Sequence, residues 1–201
     1  MSRNDIIASV QSRMSDIIPT SQTEVVSYPY VDTLLDDSVE GFYLLAPAHL
    51  LPTTNFDLPG TTRVITSDEV IITRIKTPDD FVRLISFRCS EWGRAASNVL
   101  IEGTPKHHAQ LYKHTFGGNS RPNVTLVNDD TLGQAIEYYN YKGTTPTVTV
   151  ASCVKKTDPT LVPDNIIIPF TYYVASVAFD AMGEYDAAKV AIAHAQEYLN
   201  K

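Results

Sequence analysis

Cysteine is scarce in this chain of 201 residues, which contains only Cys89 and Cys153. Two cysteines 64 residues apart provide neither the close pairs of a zinc site nor the framework of a disulfide-stapled domain. Both have apolar or small neighbours in the sequence. We therefore expect two buried free thiols in a protein that folds in a reducing compartment.

Positive charge is also scarce. The chain has 16 Lys and Arg against 23 Asp and Glu, which gives a formal net charge of -7. Binding to nucleic acid regardless of sequence requires many cations that neutralise phosphates. The composition therefore disfavours a protein that holds DNA tightly, although it allows one that stands beside DNA.

Long apolar runs are missing too. No stretch approaches the roughly 20 apolar residues that cross a bilayer, and the N-terminus lacks the apolar core of a signal peptide. We therefore expect a chain that folds in the cytoplasm and has no membrane partner. Hydrophobic residues make up 43% of the sequence, enough to bury a sizeable core.

Both ends of the chain show helical periodicity. Residues 4–16 and 30–46 repeat apolar residues at helical spacing, with Asn4 or Asp5 as the first cap and Asp32 as the second. Residues 166–199 predict two alanine-rich helices separated at Gly183. Their predicted apolar stripes are Phe170, Tyr173, Val174, Val177, Ala178 and Ala181, then Tyr185, Ala188, Ile192, Ala195 and Leu199.

The middle of the chain alternates and is rich in β-branched residues. Strands are predicted at 61–65, 70–75, 84–89, 123–127, 134–142 and 147–153. Pro105 starts a helix over 105–116, and Pro78 suits the first turn of a short helix. We expect an α+β fold in one domain of 1–201: a helical bundle from 1–52 and 163–201, with a small antiparallel β-sheet or sandwich inserted at 61–154.

Three histidines are the obvious catalytic candidates. His107, His108 and His114 fall on the predicted middle helix, but His107 and His114 are seven residues apart, about 10 Å along a helix axis. A zinc-binding helix sets two histidines four apart. A metal-dependent enzyme with Asp129 or Asp130 as its acid is therefore the weaker alternative, and we expect no catalytic residue, metal or cofactor.

Two further features of the sequence each have two interpretations. The segment from Gly183 to Ala188 is similar to the turn and second helix of a tetratricopeptide repeat, so a peptide-docking scaffold is an alternative function. The pattern occurs once, whereas such arrays need about three neighbours. Trp92 with Arg94 is either part of the core or an interface anchor, because Trp and Arg are enriched at hot spots.

Three segments together resemble a known family. They are PDDFVRLISF with the following Trp92-Gly93-Arg94, then HAQLYKHTFGGNSRPNVTLV, and the closing IIIPFTYYVASVAFDAMGEYDAAKVAIAHAQEYL. Their order resembles the head-to-tail connector, or adaptor, proteins of tailed bacteriophages, most closely the neck-ring proteins of crAss-like podophages. The resemblance samples residues 77–199. The N-terminal third resembles this family only in having helices and in ending with a segment like LLAPAHLLP.

This resemblance implies a non-enzymatic virion protein in the neck and tail region, folded in the host bacterial cytoplasm. It would form a homo-oligomeric ring, a dodecamer, beneath the portal protein, contact further neck or tail proteins, and extend a channel through which DNA passes without specific binding. Exposed aromatics would supply contacts between subunits or with the portal. The expected interface residues are Trp92, Arg94, Tyr172, Phe179, Tyr185 and Tyr198.

Overall fold

The computed structural model describes residues 1–18, 28–55, 62–67, 70–110, 112, 122–141 and 147–201. Helices lie toward both ends of the chain and strands lie between them, so the predicted α+β class is confirmed. The chain divides into two compact units. Residues 1–52 and 156–201 form what we call the helical unit, and residues 53–155 form what we call the β unit.

The described residues form five α-helices and eight strands. The helices are α1 (Arg3–Ile17), α2 (Tyr28–Leu45), α3 (Pro105–Gln110), α4 (Ile167–Ala181) and α5 (Tyr185–Leu199). The strands are β1 (Thr54–Asn55), β2 (Thr62–Ser67), β3 (Val70–Lys76), β4 (Phe81–Cys89), β5 (Val99–Ile101), β6 (Val124–Asp129), β7 (Gly133–Asn140) and β8 (Val148–Lys155). Short 3-10 helices cover Ala48–Leu50, Pro159–Leu161 and Asp164–Ile166.

Helix α1 begins with a capping box one turn earlier than the expected cap. Ser2 Oγ accepts a hydrogen bond from the Asp5 N–H at 3.2 Å, and the Asp5 carboxylate accepts one from the Ser2 N–H at 3.1 Å. The predicted caps at Asn4 and Asp5 are therefore wrong, because both residues lie inside the helix. The predicted apolar stripe is confirmed: the buried residues of α1 are Ile6, Ile7, Val10 and Met14.

Asp32 does not cap α2, which begins four residues earlier at Tyr28. It accepts a hydrogen bond from Arg3 Nε at 2.5 Å, and Arg3 also reaches Asp36 at 2.9 Å. These bonds join the start of α1 to α2. All three side chains are at least partly exposed, so the ion pairs add modestly to stability.

Helix α4 is the central helix of the helical unit and packs against α1, α2 and α5. Its predicted one-sided stripe is therefore too narrow. Tyr172, Ala175 and Phe179 are buried, whereas Ala181 is exposed and Tyr173 and Val177 are half-buried. A helix with neighbours on several sides buries most of its circumference. Helix α5 has only one buried face, lined by Ala187, Ala191, Ala195 and Leu199.

Small residues allow the close contacts of this bundle. A Cβ atom on Gly41 of α2 would overlap the Tyr173 hydroxyl and lie 3.2 Å from its ring Cζ, so only glycine fits without movement of Tyr173. Phe42 packs nearby against Phe170 with tilted rings, whose centroids are 5.3 Å apart. Between α4 and α5, Gly183 has φ +80, the left-handed conformation that glycine adopts readily, as its predicted role as a helix break requires.

The β unit contains two sheets. One has the order β1-β8-β4 and the other the order β2-β3-β7-β6-β5. All pairs are antiparallel except β5 with β6, which are parallel. Both sheets contribute to one buried cluster, which makes the unit a sandwich; the cluster includes Ile75, Leu84, Phe87, Cys89, Val124, Ile136, Tyr138 and Cys153.

Both cysteines are buried and free, as predicted. Burial raises the pKa of the Cys89 thiol to about 12, so it stays a protonated apolar filler at neutral pH. The short helix expected at Pro78 is wrong. Residues 79–80 form a turn closed by a Phe81 N–H to Pro78 carbonyl bond of 3.1 Å, because β4 already begins at Phe81.

Candidate functional site

Trp92 lies inside the β unit. Its indole N–H donates to the Tyr139 carbonyl at 3.2 Å, and its ring contacts those of Phe87 and Tyr138. Only 2% of Trp92 is exposed, so the expectation that it anchors an interface at the surface is wrong. Arg94, two residues on, is exposed. The neighbouring charges suggested exposure for both, but the indole fills the sandwich while the turn carries Arg94 outward.

Tyr172 and Phe179 are also buried, which corrects the expectation that they belong to an outer aromatic face. Tyr172 is covered on one side by the Arg13 guanidinium, 5.1 Å from its ring centroid, and by the rings of His194 and Tyr198. Phe179 is fully buried in α4. Two of the predicted aromatics remain at the surface: Tyr185 is 62% exposed and Tyr198 is 40% exposed.

His107 uses both ring nitrogens within the fold. Nδ1 accepts from the Gly103 N–H at 3.1 Å, so Nε2 carries the proton and donates to Glu137 at 3.0 Å. The ring of His108, which is exposed, lies 5.5 Å from that of His107. His114 lies outside the described residues. Within the part of the chain that the structure describes, no three His, Cys, Asp or Glu side chains are arranged to hold a metal ion.

Glu137 is the centre of a buried polar network that the sequence reading missed. Besides His107, its carboxylate accepts from the Tyr139 hydroxyl at 2.6 Å and from Arg74 Nε at 2.7 Å. Arg74 also donates to Asp129 at 2.9 Å. The side chain of Glu137 is 1% exposed and that of Asp129 is fully buried, and Arg63 also pairs with Asp129 at 3.2 Å, so two guanidinium groups balance the charge of the two carboxylates.

The two carboxyl groups are held ionised. Burial alone would raise the pKa of Glu137, but the bonds from Tyr139, His107 and Arg74 outweigh it and lower that pKa below its ordinary value of 4.5. The Arg74 hydrogen bond, with the N–H groups of Thr131 and Leu132, lowers the pKa of Asp129 well below its usual range. The described groups of this network therefore bond to one another within the fold.

The network predicts acid sensitivity of the β unit. A carboxyl whose pKa is lower in the folded than in the unfolded state stabilises the fold above the unfolded pKa, and the stabilisation is lost as pH falls through the folded value. We expect the free energy of unfolding, followed by Trp92 fluorescence, to fall as pH drops below about 4.5. Glu137→Gln should reduce this pH dependence. Asp130→Asn is the control, because it removes an exposed carboxyl of the same hairpin that lies outside the network; equal slopes in wild type and Glu137→Gln would contradict the prediction.

A signal for the network does exist in the sequence. One charge lies inside each of two paired strands, Arg74 in β3 and Glu137 in β7; the other charge of β3, Lys76, is its last residue. The two strands pair with these residues directly opposite each other. Opposite charges across a buried ladder stabilise a sheet, but the register that brings them together is known only from the fold.

A cleft of about 1010 Å³ opens in the β unit. One wall is the start of β4 and the other is β5 with the residues before it. The floor is formed by β6 and Ile136, and α3 closes one side. Among the described residues that line it, the charged ones are Arg83, Arg94 and Lys106, and none is an acid. We call this site the cationic cleft.

The helical unit presents the opposite charge. On α2, Asp37, Glu40 and Leu44 are three and four residues apart, so they share one face, and all three are exposed. Neither acid forms an ion pair with another described residue. Leu44 is 56% exposed. We call these three residues the α2 stripe.

Charge is divided unequally between the two units. The helical unit contains five Lys and Arg against thirteen Asp and Glu, a formal charge of -8. The β unit contains eleven against ten, a formal charge of +1. The chain's acidity therefore belongs to one unit, which composition alone does not reveal.

No helix among the described residues combines the length and the apolar character needed to span a bilayer. The sequence matches none of the protein-family models against which it was compared, and no curated protein is significantly similar to it. The geometry of the α2 stripe, the cationic cleft and the two charged units therefore provides the functional argument.

Proposed function

We propose that this chain is a structural subunit of a tailed-bacteriophage neck, a portal-bound adaptor ring that joins the capsid portal to the tail and extends the DNA channel. The observation that carries the proposal is the separation of charge between a helical unit of -8 and a β unit of +1. A closed ring joins neighbouring copies head to tail, so each copy needs two different surfaces that complement each other. The unequal charges of the helical unit and the β unit provide two such surfaces.

Exposed apolar side chains in the acidic unit support the same proposal. Leu44, Tyr185 and Val190 are between 45% and 62% exposed and lie on two different helices. Large apolar side chains at a solvent-facing helix surface are typical of contact sites. Next to Asp37 and Glu40, Leu44 gives the α2 stripe both an apolar contact and a charge that selects the partner surface.

The net charge fits a channel wall. DNA must slide through a neck ring without being held, and a subunit with a net charge of -7 repels phosphates at long range. The buried network at Glu137 fits the same picture, because it satisfies its own polar groups and stiffens the β unit. The ring is proposed as a dodecamer by resemblance to neck-ring proteins of crAss-like podophages.

The proposal is tested by assembly on a portal. The purified chain is mixed with the portal protein of its own virion, and mass is measured by light scattering while rings are imaged by electron microscopy. We expect a portal-bound ring of twelve copies of the 22.2 kDa chain. A free monomer alone does not contradict this, because ring subunits can assemble only on a template. A chain that joins neither portal nor virion would.

Charge reversal on the α2 stripe tests the contact surface. We expect Asp37→Lys with Glu40→Lys to reduce the portal-bound fraction at least about tenfold, because reversal turns attraction into repulsion. Asp164→Lys with Asp180→Lys is the matched control: the same charge change at two exposed acids of the same unit, expected to change assembly less than about twofold. Equal effects of the two pairs would show that total charge, and not the stripe, determines assembly.

A further inference from the structure

We propose that the cationic cleft is a docking site for an extended segment of a partner protein, one that alternates apolar and acidic side chains and adds to the β unit as a strand. This proposal goes beyond ring formation, and the described lining residues of the cleft all belong to one β unit. The proposal rests on the charge of the cleft, its apolar floor and the two strand edges that form its walls.

Charge sets the sign of the occupant. Arg94 and Lys106 line the cleft and are exposed, and neither forms an ion pair with another residue of the described ranges. Arg83 adds a third cation on the β4 wall. Three cations line one cleft, and no acid is found among its described lining residues, in a chain whose net charge is -7. Such a local reversal of sign favours a ligand with carboxylates.

The floor requires apolar side chains as well. Val124 and Ile136 in the floor and Leu84 in the β4 wall are nearly fully buried, and the lining residues Leu100 and Leu126 are partly exposed. A ligand with charged side chains alone would leave this apolar surface exposed to water. An extended peptide points alternate side chains to opposite sides, so it can direct apolar residues to the floor and acids toward the rim.

The walls are strand edges. Strand β4 is the last strand of one sheet, and β5 is the last strand of the other. On β5, Val99 is 41% exposed and Ile101 is 75% exposed, and no described strand pairs with its outer side. An open edge with apolar side chains is a template for pairing with another chain. A segment in the cleft would pair with such an edge while filling the space between the sheets.

The volume of the cleft and the aromatic content of its lining favour a peptide over a small molecule or a single-stranded nucleic acid. The volume of about 1010 Å³ is at the top of the range for small-molecule sites, roughly 300–1,000 Å³. Single-stranded nucleic acid needs successive aromatic platforms for its bases, and Phe81 is the one aromatic among the lining residues that the structure describes. A peptide uses the strand edges, which the other two ligand classes do not require.

The experiment selects the ligand without assuming its sequence. A displayed library of random peptides of about twelve residues is selected for binding to the immobilised full-length chain. The affinity of the enriched peptides is then measured by fluorescence anisotropy. We expect enriched sequences that alternate apolar and acidic residues. Arg94→Glu with Lys106→Glu should weaken their binding at least about tenfold, and a central proline in the peptide should weaken it similarly, because proline removes a ladder donor.

Controls keep the result specific. Arg88→Glu with Lys189→Glu makes the same change in net charge at two exposed cations outside the cleft lining, and we expect binding to change less than about twofold. Trp92 fluorescence verifies folding of each variant. If the double cleft variant fails to fold, Val99→Glu places one acid on the exposed wall and should also weaken binding.

Four outcomes would overturn the proposal. They are the absence of enrichment, enrichment of basic or charge-free sequences, binding that is equal in the cleft and control variants, and displacement of the selected peptides by an oligothymidine of similar length. Ring assembly on a portal is scored separately, so loss of peptide binding with intact rings would remove this site and leave the neck function standing.

Discussion

Glu137→Ala is expected to reduce the free energy of unfolding of the β unit by about 3–5 kcal/mol, because it removes the buried centre of the network and leaves the partly buried Arg74 guanidinium with one of its two carboxylate acceptors. Arg74 would keep Asp129 but lose the bond at 2.7 Å, the Nε2–H of His107 would lose its acceptor, and the Tyr139 hydroxyl would keep only Thr125 at 2.8 Å. Trp92, the one tryptophan of the chain, is buried in the same unit and reports its unfolding in urea.

Two further variants sharpen this prediction. Glu137→Gln keeps the size and one carbonyl acceptor, but turns an N–H donor toward the Arg74 donor or toward Tyr139, so we expect a smaller loss of about 1.5–3 kcal/mol. Asp130→Ala removes an exposed acid from the same hairpin and should change stability by less than about 0.5 kcal/mol. A loss below about 1 kcal/mol for Glu137→Ala would mean that the network does not stabilise the sandwich.

Phe179→Ala should destabilise the helical unit by about 3–5 kcal/mol, because the ring is fully buried in the central helix and its removal leaves a cavity. The measurement is urea unfolding followed by circular dichroism at 222 nm, which reports the helices. This separates a core role from the interface role that the sequence predicted for Phe179, since an interface residue leaves the stability of the free subunit nearly unchanged.

Tyr185→Ala is the matched comparison for Phe179→Ala. Tyr185 begins α5 and is 62% exposed, so we expect its loss to change stability by less than about 0.5 kcal/mol. The two aromatics are six positions apart and were both predicted as contact residues. If Tyr185→Ala destabilised the free chain as much as Phe179→Ala, the exposed surface of α5 would be part of the fold.

The contrast between α1 and α4 shows when a helical pattern in the sequence predicts which residues are buried. Helix α1 buries one face, and the stripe of Ile6, Ile7, Val10 and Met14 is confirmed in full because one-sided burial leaves a clear period in the sequence. Helix α4 packs against three other helices, so its apolar residues no longer mark a single face. Tyr172 and Phe179 fell outside the single predicted stripe, so they were predicted to be exposed interface residues.

Strands show a similar division. Strands β3, β4, β6, β7 and β8 were predicted within a few residues, because alternation and β-branched residues are local signals. Strand β5 was missed: it has three residues, of which Val99 and Ile101 are exposed, and it pairs in parallel with β6. Its place is set by a partner in the sheet and not by its own composition, yet it forms a wall of the cationic cleft.

The sequence by itself determined the α+β class, the order of helices and strands, the free thiols and the total charge, because each depends on local period or on composition. Only the tertiary structure decided that Trp92, Tyr172 and Phe179 belong to the core, that Glu137 and Arg74 are paired, and that three cations share one cleft. Burial and the meeting of distant charges depend on which surfaces pack together, and packing joins residues that no local pattern relates.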